Sequence, residues 1–218
     1  MTMINAALVC AMMPGAPRIR LAPHLPHIDD ALEAGAIGSP MRIAAFMAHL
    51  AHESGEYRHM EELADGSAYE GRADLGNVEP GDGPRYKGRG PIQITGRANY
   101  RDAGAFLGLP LLSQPELLAR PEHGTLAAAW FWRRAKPWLN PAAELGWFRV
   151  TTRLVNGGYN GWPDRVGYYQ RNRKLLALEP YTETDEDQAI RAFQAAHGLV
   201  PDGDCGPRTL AALLEAAS

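Results

Sequence analysis

The residues best suited to chemistry are acids placed at and just beyond the end of one apolar helix pattern. In MRIAAFMAHLAHESGEYRHMEEL, residues 41–63, the positions Ile43, Phe46, Met47, Leu50, Ala51 and Ser54 recur at the three-and-four spacing of an amphipathic helix. Glu53 falls at the edge of that stripe, roughly 80° from its centre, beside Phe46, Leu50 and Tyr57. A carboxyl there is partly withdrawn from water, the setting of a general acid. Glu61 and Glu62 follow. In an unbroken helix Glu62 would stand about 13 Å further along the axis and on the opposite face, so two acids can serve one cleft only if the helix ends between them. Gly55 gives the chain a place to stop, and the polar EYRHMEE that follows can turn back.

Competing readings of these residues are a solvated surface acid and a metal site. His49, His52 and Glu53 share neighbouring helical positions, but their order is neither H-E-x-x-H nor H-x-x-E-H, and no metal or other cofactor is expected.

The elements that must position the acids follow from composition and punctuation. A chain of 218 residues with 45% hydrophobic and 22% charged side chains can bury a full core, with room for a small appendage. Cys10 and Cys205 lie at opposite ends without redox or metal spacing, which fits synthesis in a reducing cytoplasm. The apolar run from Met3 to Met13 has no positive charge before it and is too short to span a bilayer; it reads as a first helix stopped by Pro14-Gly15, with no clear signal peptide and no membrane insertion. Residues 183–218 hold seven acids and two arginines within a total charge of −3, and that balance argues against a nucleic-acid partner. A short helix is expected around Ile28 to Ala34, and Ser39-Pro40 supplies the cap and first residue of the central helix.

From Asp65 to Tyr100 glycine and proline are dense and no apolar helical period survives, as in a loop that lines a substrate. Within it, YKGRGPIQIT from Tyr86 to Thr95 combines two glycines with an alternation that presents Gln93 and Thr95 on one side, hydrogen-bonding side chains suited to a neutral ligand such as a sugar. It lacks both G-x-G-x-x-G after a strand and G-K-[ST], so it is not read as a phosphate loop. Helical patterns return from Tyr100 to Trp138, where Trp130, Phe131 and Trp132 read as core rather than sugar platform. Asn156-Gly157-Gly158 marks a helix end with an amide at a loop mouth, and Arg165 begins the next helix, which ends near Pro180.

Taken together, His52-Glu53-Ser54-Gly55, Glu61-Glu62, YKGRGPIQIT, Asn99-Tyr100, Val155-Asn156-Gly157-Gly158 and Asp164-Arg165 resemble, in order and spacing, glycoside hydrolase family 19, the chitinases and their bacteriophage endolysin relatives. The match covers nearly all of residues 1–180. It implies a mainly α, lysozyme-like catalytic domain with a long Gly/Pro-rich substrate loop. It further implies Glu53 as general acid, Glu62 as general base, Thr95 as the hydroxyl that holds the attacking water, Gln93, Asn99, Asn156 and Tyr86 as substrate-binding residues, and Arg165 as a basic residue near the acids. The disulfide cysteines of the plant chitinases are missing, and the short interval between the glutamates resembles compact bacterial and phage members, which favours peptidoglycan over chitin. Residues 185–218, with F-Q-x-x-H-G-L-x-P-D-G and G-P-x-T, resemble part of a peptidoglycan-binding domain whose preceding helix is missing; Ile190, Phe193, Leu199, Leu210 and Leu213 would form its small core.

The expected function is hydrolysis of the β-1,4 bond between N-acetylmuramic acid and N-acetylglucosamine in bacterial peptidoglycan, with inversion. The expected setting is a phage or prophage endolysin made in the host bacterial cytoplasm, released to the wall with a holin-like membrane protein. Removing residues 183–218 should leave the chemistry intact at a cost in stability or wall affinity. The rivals are a chitinase, a lytic transglycosylase suggested by Glu53-Ser54 and GPIQ, and a non-catalytic wall-binding protein.

Overall fold

A computed structural model describes residues 4–217. Among these the secondary structure is mainly helical, and the only β pairing is two isolated bridges, Glu61 with Arg89 and Arg89 with Ile94. Among the described residues the ten α-helices longer than four residues are α1 (Ala6–Met12), α2 (Leu25–Ala34), α3 (Pro40–Glu53), α4 (Arg97–Leu107), α5 (Pro121–Trp130), α6 (Leu139–Glu144), α7 (Phe148–Asn156), α8 (Trp162–Leu175), α9 (Glu183–Ala196) and α10 (Pro207–Ala216). Among the described residues no helix is long and apolar enough to cross a membrane. The helix read from Met3 to Met13 is α1; Met3 lies outside the described residues.

Contacts divide the chain into two compact units, one holding the residues up to Gly35 and Leu50–Phe131, the other Ala36–His49 and everything from Trp132 onward. The central helix α3 begins as its sequence directs, with Ser39 Oγ accepting from the Arg42 amide at 3.3 Å and Pro40 in the first turn. Its expected apolar stripe is in fact a buried cylinder, since every residue from Ile43 to Ala51 is shielded from water. Ala44, Ala45, Ala48 and Ala51 are small enough for neighbours to close in on all sides, and the polar His49 is accommodated by partners of its own.

In the first unit, α2 packs along α5, and α4 also meets α5. The glycine-rich loop reaches α5 through a backbone approach that only glycine permits: a Cβ on Gly124 would lie 2.6 Å from the Leu118 carbonyl oxygen and 3.2 Å from the Gly90 Cα.

In the second unit, Phe46 of α3 meets Trp132 edge-on at 5.3 Å, and Asn172 of α8 donates to the Ala44 carbonyl at 3.1 Å. Trp132 is buried, as is Trp130 of the first unit, as core residues should be, whereas Phe131 between them is only partly buried. The C-terminal residues share this unit's interior: Trp147 and Val150 cluster with Ile190, Cys205 and Leu213, and Phe193 packs edge-on against Trp147 at 5.2 Å. Burial in this cluster pushes the Cys205 thiol up to about 12. Glu186 of α9 accepts from the amides of Arg149 and Val150, at 2.9 and 3.1 Å, and so caps α7 from outside. The C-terminal segment is therefore part of a shared core, not a detachable appendage.

Candidate active site

The site begins where α3 ends. Beyond Glu53 three successive residues, Gly55, Glu56 and Tyr57, take left-handed φ values of 54°, 57° and 62°. The two that are not glycine each cost about 1–2 kcal/mol in that region. Burial and hydrogen bonds offset the cost. Tyr57 is fully buried against the ring of His24, centroids 4.3 Å apart, and Glu56 is buried over Gly15, where a Cβ would collide with its carboxylate. The Glu56 amide donates to the Ala51 carbonyl at 2.7 Å, and Ser54 Oγ bridges the turn, donating to the Leu50 carbonyl at 2.7 Å while accepting from the Tyr57 amide at 2.8 Å. Gly55 alone was expected to stop the helix; the turn that sends the chain back is longer and made largely by tertiary packing.

The returning segment is pinned to the glycine-rich loop. The Gly90 amide donates to the Met60 carbonyl and the Glu62 amide to the Gly88 carbonyl, at 2.9 and 2.8 Å. This register separates the two neighbouring acids. Glu61 pairs with Arg89 at 3.1 Å and Lys87 at 3.4 Å, with its side chain half exposed. Glu62 is half-buried and receives neutral donors instead: Tyr69 Oη donates to Oε1 at 2.9 Å and the Gly88 amide to Oε2 at 3.0 Å. Lys87 Nζ donates to the backbone carbonyls of Glu62 and Ala64. Burial, then the bond to Glu62, raise the Tyr69 phenol above its ordinary value, which keeps it a donor at neutral pH. Nothing in the sequence marks Tyr69 and Gly88 as the residues that hold the Glu62 carboxylate. Tyr69 belongs to no periodic pattern, and Gly88 looked like a source of backbone freedom when its constraint is space: a Cβ would meet Gln93 Oε1 at 2.7 Å and Glu62 Oε2 at 3.2 Å.

Gln93, Thr95 and Asn99 form one chain of contacts, but not through an extended alternation. Residues 90–93 are a tight turn closed by the Gln93 amide on the Gly90 carbonyl at 3.1 Å, with Gln93 at φ 53°. The Gln93 amide group donates to the Gly90 carbonyl at 2.9 Å, Thr95 Oγ donates to the Gln93 carbonyl at 3.0 Å, and Asn99 Nδ2 donates to the Thr95 carbonyl at 2.7 Å. All three are partly exposed, and the acceptor lone pairs of Thr95 Oγ remain usable. Tyr86 differs from its expected role: it is buried, its hydroxyl donates to the Leu112 carbonyl at 3.0 Å, and its ring packs with Tyr100 at 5.2 Å, so it props the loop.

Asn156 and Arg165 belong to the second unit. Asn156 closes α7, with Gly157 left-handed after it; its amide donates to the Asn160 carbonyl at 3.2 Å and its Oδ1 accepts from Gly158 at 3.0 Å. Arg165 stands in the first turns of α8, which starts at Trp162, and is buried. It donates to the Asn160 carbonyl and to His49 Nδ1, both at 3.0 Å, while His49 Nε2 lies 3.0 Å from Thr151 Oγ1. A guanidinium donating to Nδ1 requires a neutral imidazole protonated at Nε2, so His49 orients an arginine and does not face a metal.

Such a fold, with a carboxylate at the end of a buried helix and a second clamped on a glycine-rich loop, defines the architecture of helical glycoside hydrolases. Chitinase C from Streptomyces griseus superposes with a TM-score of 0.68 at 23% identity, covering 83% of this chain and 96% of that one. A bacterial family 19 chitinase superposes equally well at 25% identity, covering 83% and 98%. The chain belongs to glycoside hydrolase family 19, whose class I chitinase model matches residues 38–147. An endochitinase of Arabidopsis thaliana is 42% identical over 147 residues, 64% of this chain and 50% of that protein, and endochitinase B of Zea mays is 33% identical over 153 residues, 63% and 50%. The chain thus spans about half the length of these curated relatives. A peptidoglycan-binding domain model matches residues 164–213. That match takes in α8, so the helix that the C-terminal segment was expected to lack is one it shares with the preceding residues.

Proposed function

We propose that the protein hydrolyses β-1,4 bonds in N-acetylhexosamine polymers of bacterial peptidoglycan, with inversion. Family membership alone cannot carry activity, since one relative at 36% identity is an inactive endochitinase of Arabidopsis thaliana. The observation that supports catalysis here is the unequal treatment of Glu61 and Glu62. A base must be ionised yet keep a lone pair open. Glu61 is neutralised by two cations, whereas Glu62 is held by one neutral donor on each oxygen.

In this reading Glu53 protonates the leaving glycosidic oxygen while Glu62 takes a proton from water on the opposite face of the sugar. The water oxygen bonds to the anomeric carbon as the carbon–oxygen bond to the leaving sugar breaks. An inverting pair of this kind works with carboxyls roughly 6.5 to 9.5 Å apart. Thr95, whose proton is committed to the Gln93 carbonyl, accepts a hydrogen bond from the attacking water. Gln93 and Asn99 contribute amides for the sugar acetamido and hydroxyl groups. The peptidoglycan-binding match supports the wall polymer as substrate. A second reading, chitin, is favoured by the endochitinase relatives. A lytic role outside the cytoplasm, with a separate membrane-permeabilising protein, extends the same proposal.

Digestion of purified wall and of glycol chitin in heavy-oxygen water, read by mass spectrometry, tests both chemistry and substrate. The expected result is one solvent oxygen on every new reducing end and muropeptide products. Anhydro sugars without label would overturn hydrolysis, and products from chitin alone would replace the wall with the second reading. Glu53→Gln and Glu62→Gln should each lose more than nine-tenths of turnover, whereas Glu61→Gln should keep most of it; reversal of the last two would make Glu61 the base.

A further inference from the structure

We infer that Tyr69 is a positioning residue for the reaction, its phenol fixing the plane of the Glu62 carboxylate against the Gly88 amide. The inference rests on Glu62 being the general base. A free glutamate side chain has several rotatable bonds and would sample many orientations of its oxygens. Here each oxygen is held by one donor, Tyr69 Oη at 2.9 Å and the Gly88 amide at 3.0 Å, so neither can swing away while the other bond stands.

The phenol can direct the carboxylate only if its own backbone is fixed, and it is. The Tyr69 amide donates to the Gly66 carbonyl at 3.0 Å. The fully buried Asn77 donates from Nδ2 to the Tyr69 carbonyl at 2.9 Å, and its Oδ1 accepts from the Arg97 amide at 2.8 Å. The next residue, Glu70, accepts from the amides of Gly81 and Gly83 at 2.6 and 2.8 Å. Arg97 in turn grips Asp82 through two bonds of 2.5 and 2.7 Å. Tyr69 is therefore braced from α4 and from both arms of the loop.

The choice of donor has chemical content. A lysine or arginine on Glu62 would stabilise the carboxylate so strongly that it would accept a proton poorly; Arg89 and Lys87 pair instead with the Glu61 carboxylate, and Lys87 bonds to Glu62 through its backbone carbonyl. A phenol aims the carboxylate at a smaller cost in basicity and leaves a lone pair for the water.

Kinetics on soluble β-1,4-linked N-acetylglucosamine oligomers and solubilised glycan strands test this. Tyr69→Phe should lower kcat roughly 10-fold with KM within about twofold, and should move the acidic limb of the kcat/KM profile upward by about one pH unit, because a donor to the charged form is lost. Replacing Tyr69 by 3-fluorotyrosine, a stronger donor of nearly the same shape, should move that limb down by a few tenths of a unit. This opposite sign is one that a merely structural role would not produce, and it remains readable should the phenylalanine variant fold poorly. An inactive Glu62→Gln together with unmoved limbs in both Tyr69 variants overturns the positioning role and leaves the base in place. A fully active Glu62→Gln overturns the base assignment on which it rests.

Discussion

Glu186→Ala measures how far the C-terminal residues hold up the rest of the second unit. The carboxylate is almost fully buried and accepts from the amides of Arg149 and Val150, at 2.9 and 3.1 Å, and from the Tyr181 hydroxyl at 2.6 Å. Its removal leaves two amides in the first turn of α7 and one phenol without their acceptor. Hydrogen bonds to a charged acceptor contribute about 1.5–3 kcal/mol each, and a negative charge at a helix N-terminus adds about 0.3–1 kcal/mol. Burial works the other way, pushing the Glu186 pKa up despite these bonds, so part of the gross gain is already offset by desolvation. A net loss of about 3 kcal/mol remains. For a chain of this length that lowers the melting temperature by roughly 6–12 °C. Circular dichroism melts would read the global effect, and hydrogen exchange at the Arg149 and Val150 amides the local one. Glu186→Gln, which keeps one acceptor, should fall between wild type and alanine. Glu183→Ala is the control: Glu183 is exposed and bonded to Trp162 Nε1 at 3.2 Å, so its loss should shift the melt by less than about 1 °C. Unchanged exchange at Arg149 and Val150, with a melt within about 2 °C of wild type, would refute the capping argument. The same reasoning sharpens the expectation that removing residues 183–218 costs stability while leaving the chemical groups in place. Truncation strips the cap together with Ile190, Cys205 and Leu213 from the cluster around Trp147, and the product should be unstable by melting before its turnover can be judged.

Two further outcomes follow from single contacts. Gly88→Ala places a Cβ against Gln93 Oε1 and Glu62 Oε2, so kcat should fall at least about 10-fold while the melting temperature changes little, because the atoms displaced are the ends of side chains; wild-type kcat would show that the clamp is not needed. His24 is buried between Thr125 and Tyr57, and burial holds its pKa down at about 4. Its neutral form is the folded one, so its contribution is complete above the unfolded value near 6.5 and is lost as pH falls toward 4. That amounts to about 2 kcal/mol by pH 5, visible in urea unfolding as a fall in stability between pH 7 and 5 that His24→Asn flattens.

The helical class and the start of α3 are legible in the sequence, because Ser39-Pro40 and the apolar spacing are local signals that act through the helix itself. The full enclosure of residues 43–51 is not, since it depends on which distant helices meet the alanine faces. The left-handed Glu56 and Tyr57 are illegible for a related reason: their local preference opposes the conformation, and the burial of Tyr57 against His24 overrides it. At the loop, glycines and a polar alternation drew attention to Gln93 and Thr95, but Gln93 turns where alternation predicts extension. Tyr86 looked like a ligand contact because a tyrosine in a glycine-rich loop is ambiguous until its hydroxyl partner is known. Tyr69 carried no signal, because a side chain that acts by touching one carboxylate leaves no period in the chain.

The loop itself is closed by two nested clasps, Glu62 to Gly88 outside and Glu70 to Gly81 and Gly83 within. Each clasp joins residues far apart in sequence at a fixed distance, so the chain inside the inner one is a tethered length with a single buried anchor, Asn77, and exposed residues on either side of it, 71–74 and 78–80. Chain statistics put the cost of doubling a flexible loop at only about 0.6 kcal/mol. Exposed residues at 71–74 or 78–80 could therefore be exchanged or added to, giving surface for a different polymer, while Asn77, Tyr69 and the carboxylate it addresses stay where they are. Recognition can diversify in this molecule without renegotiating its chemistry.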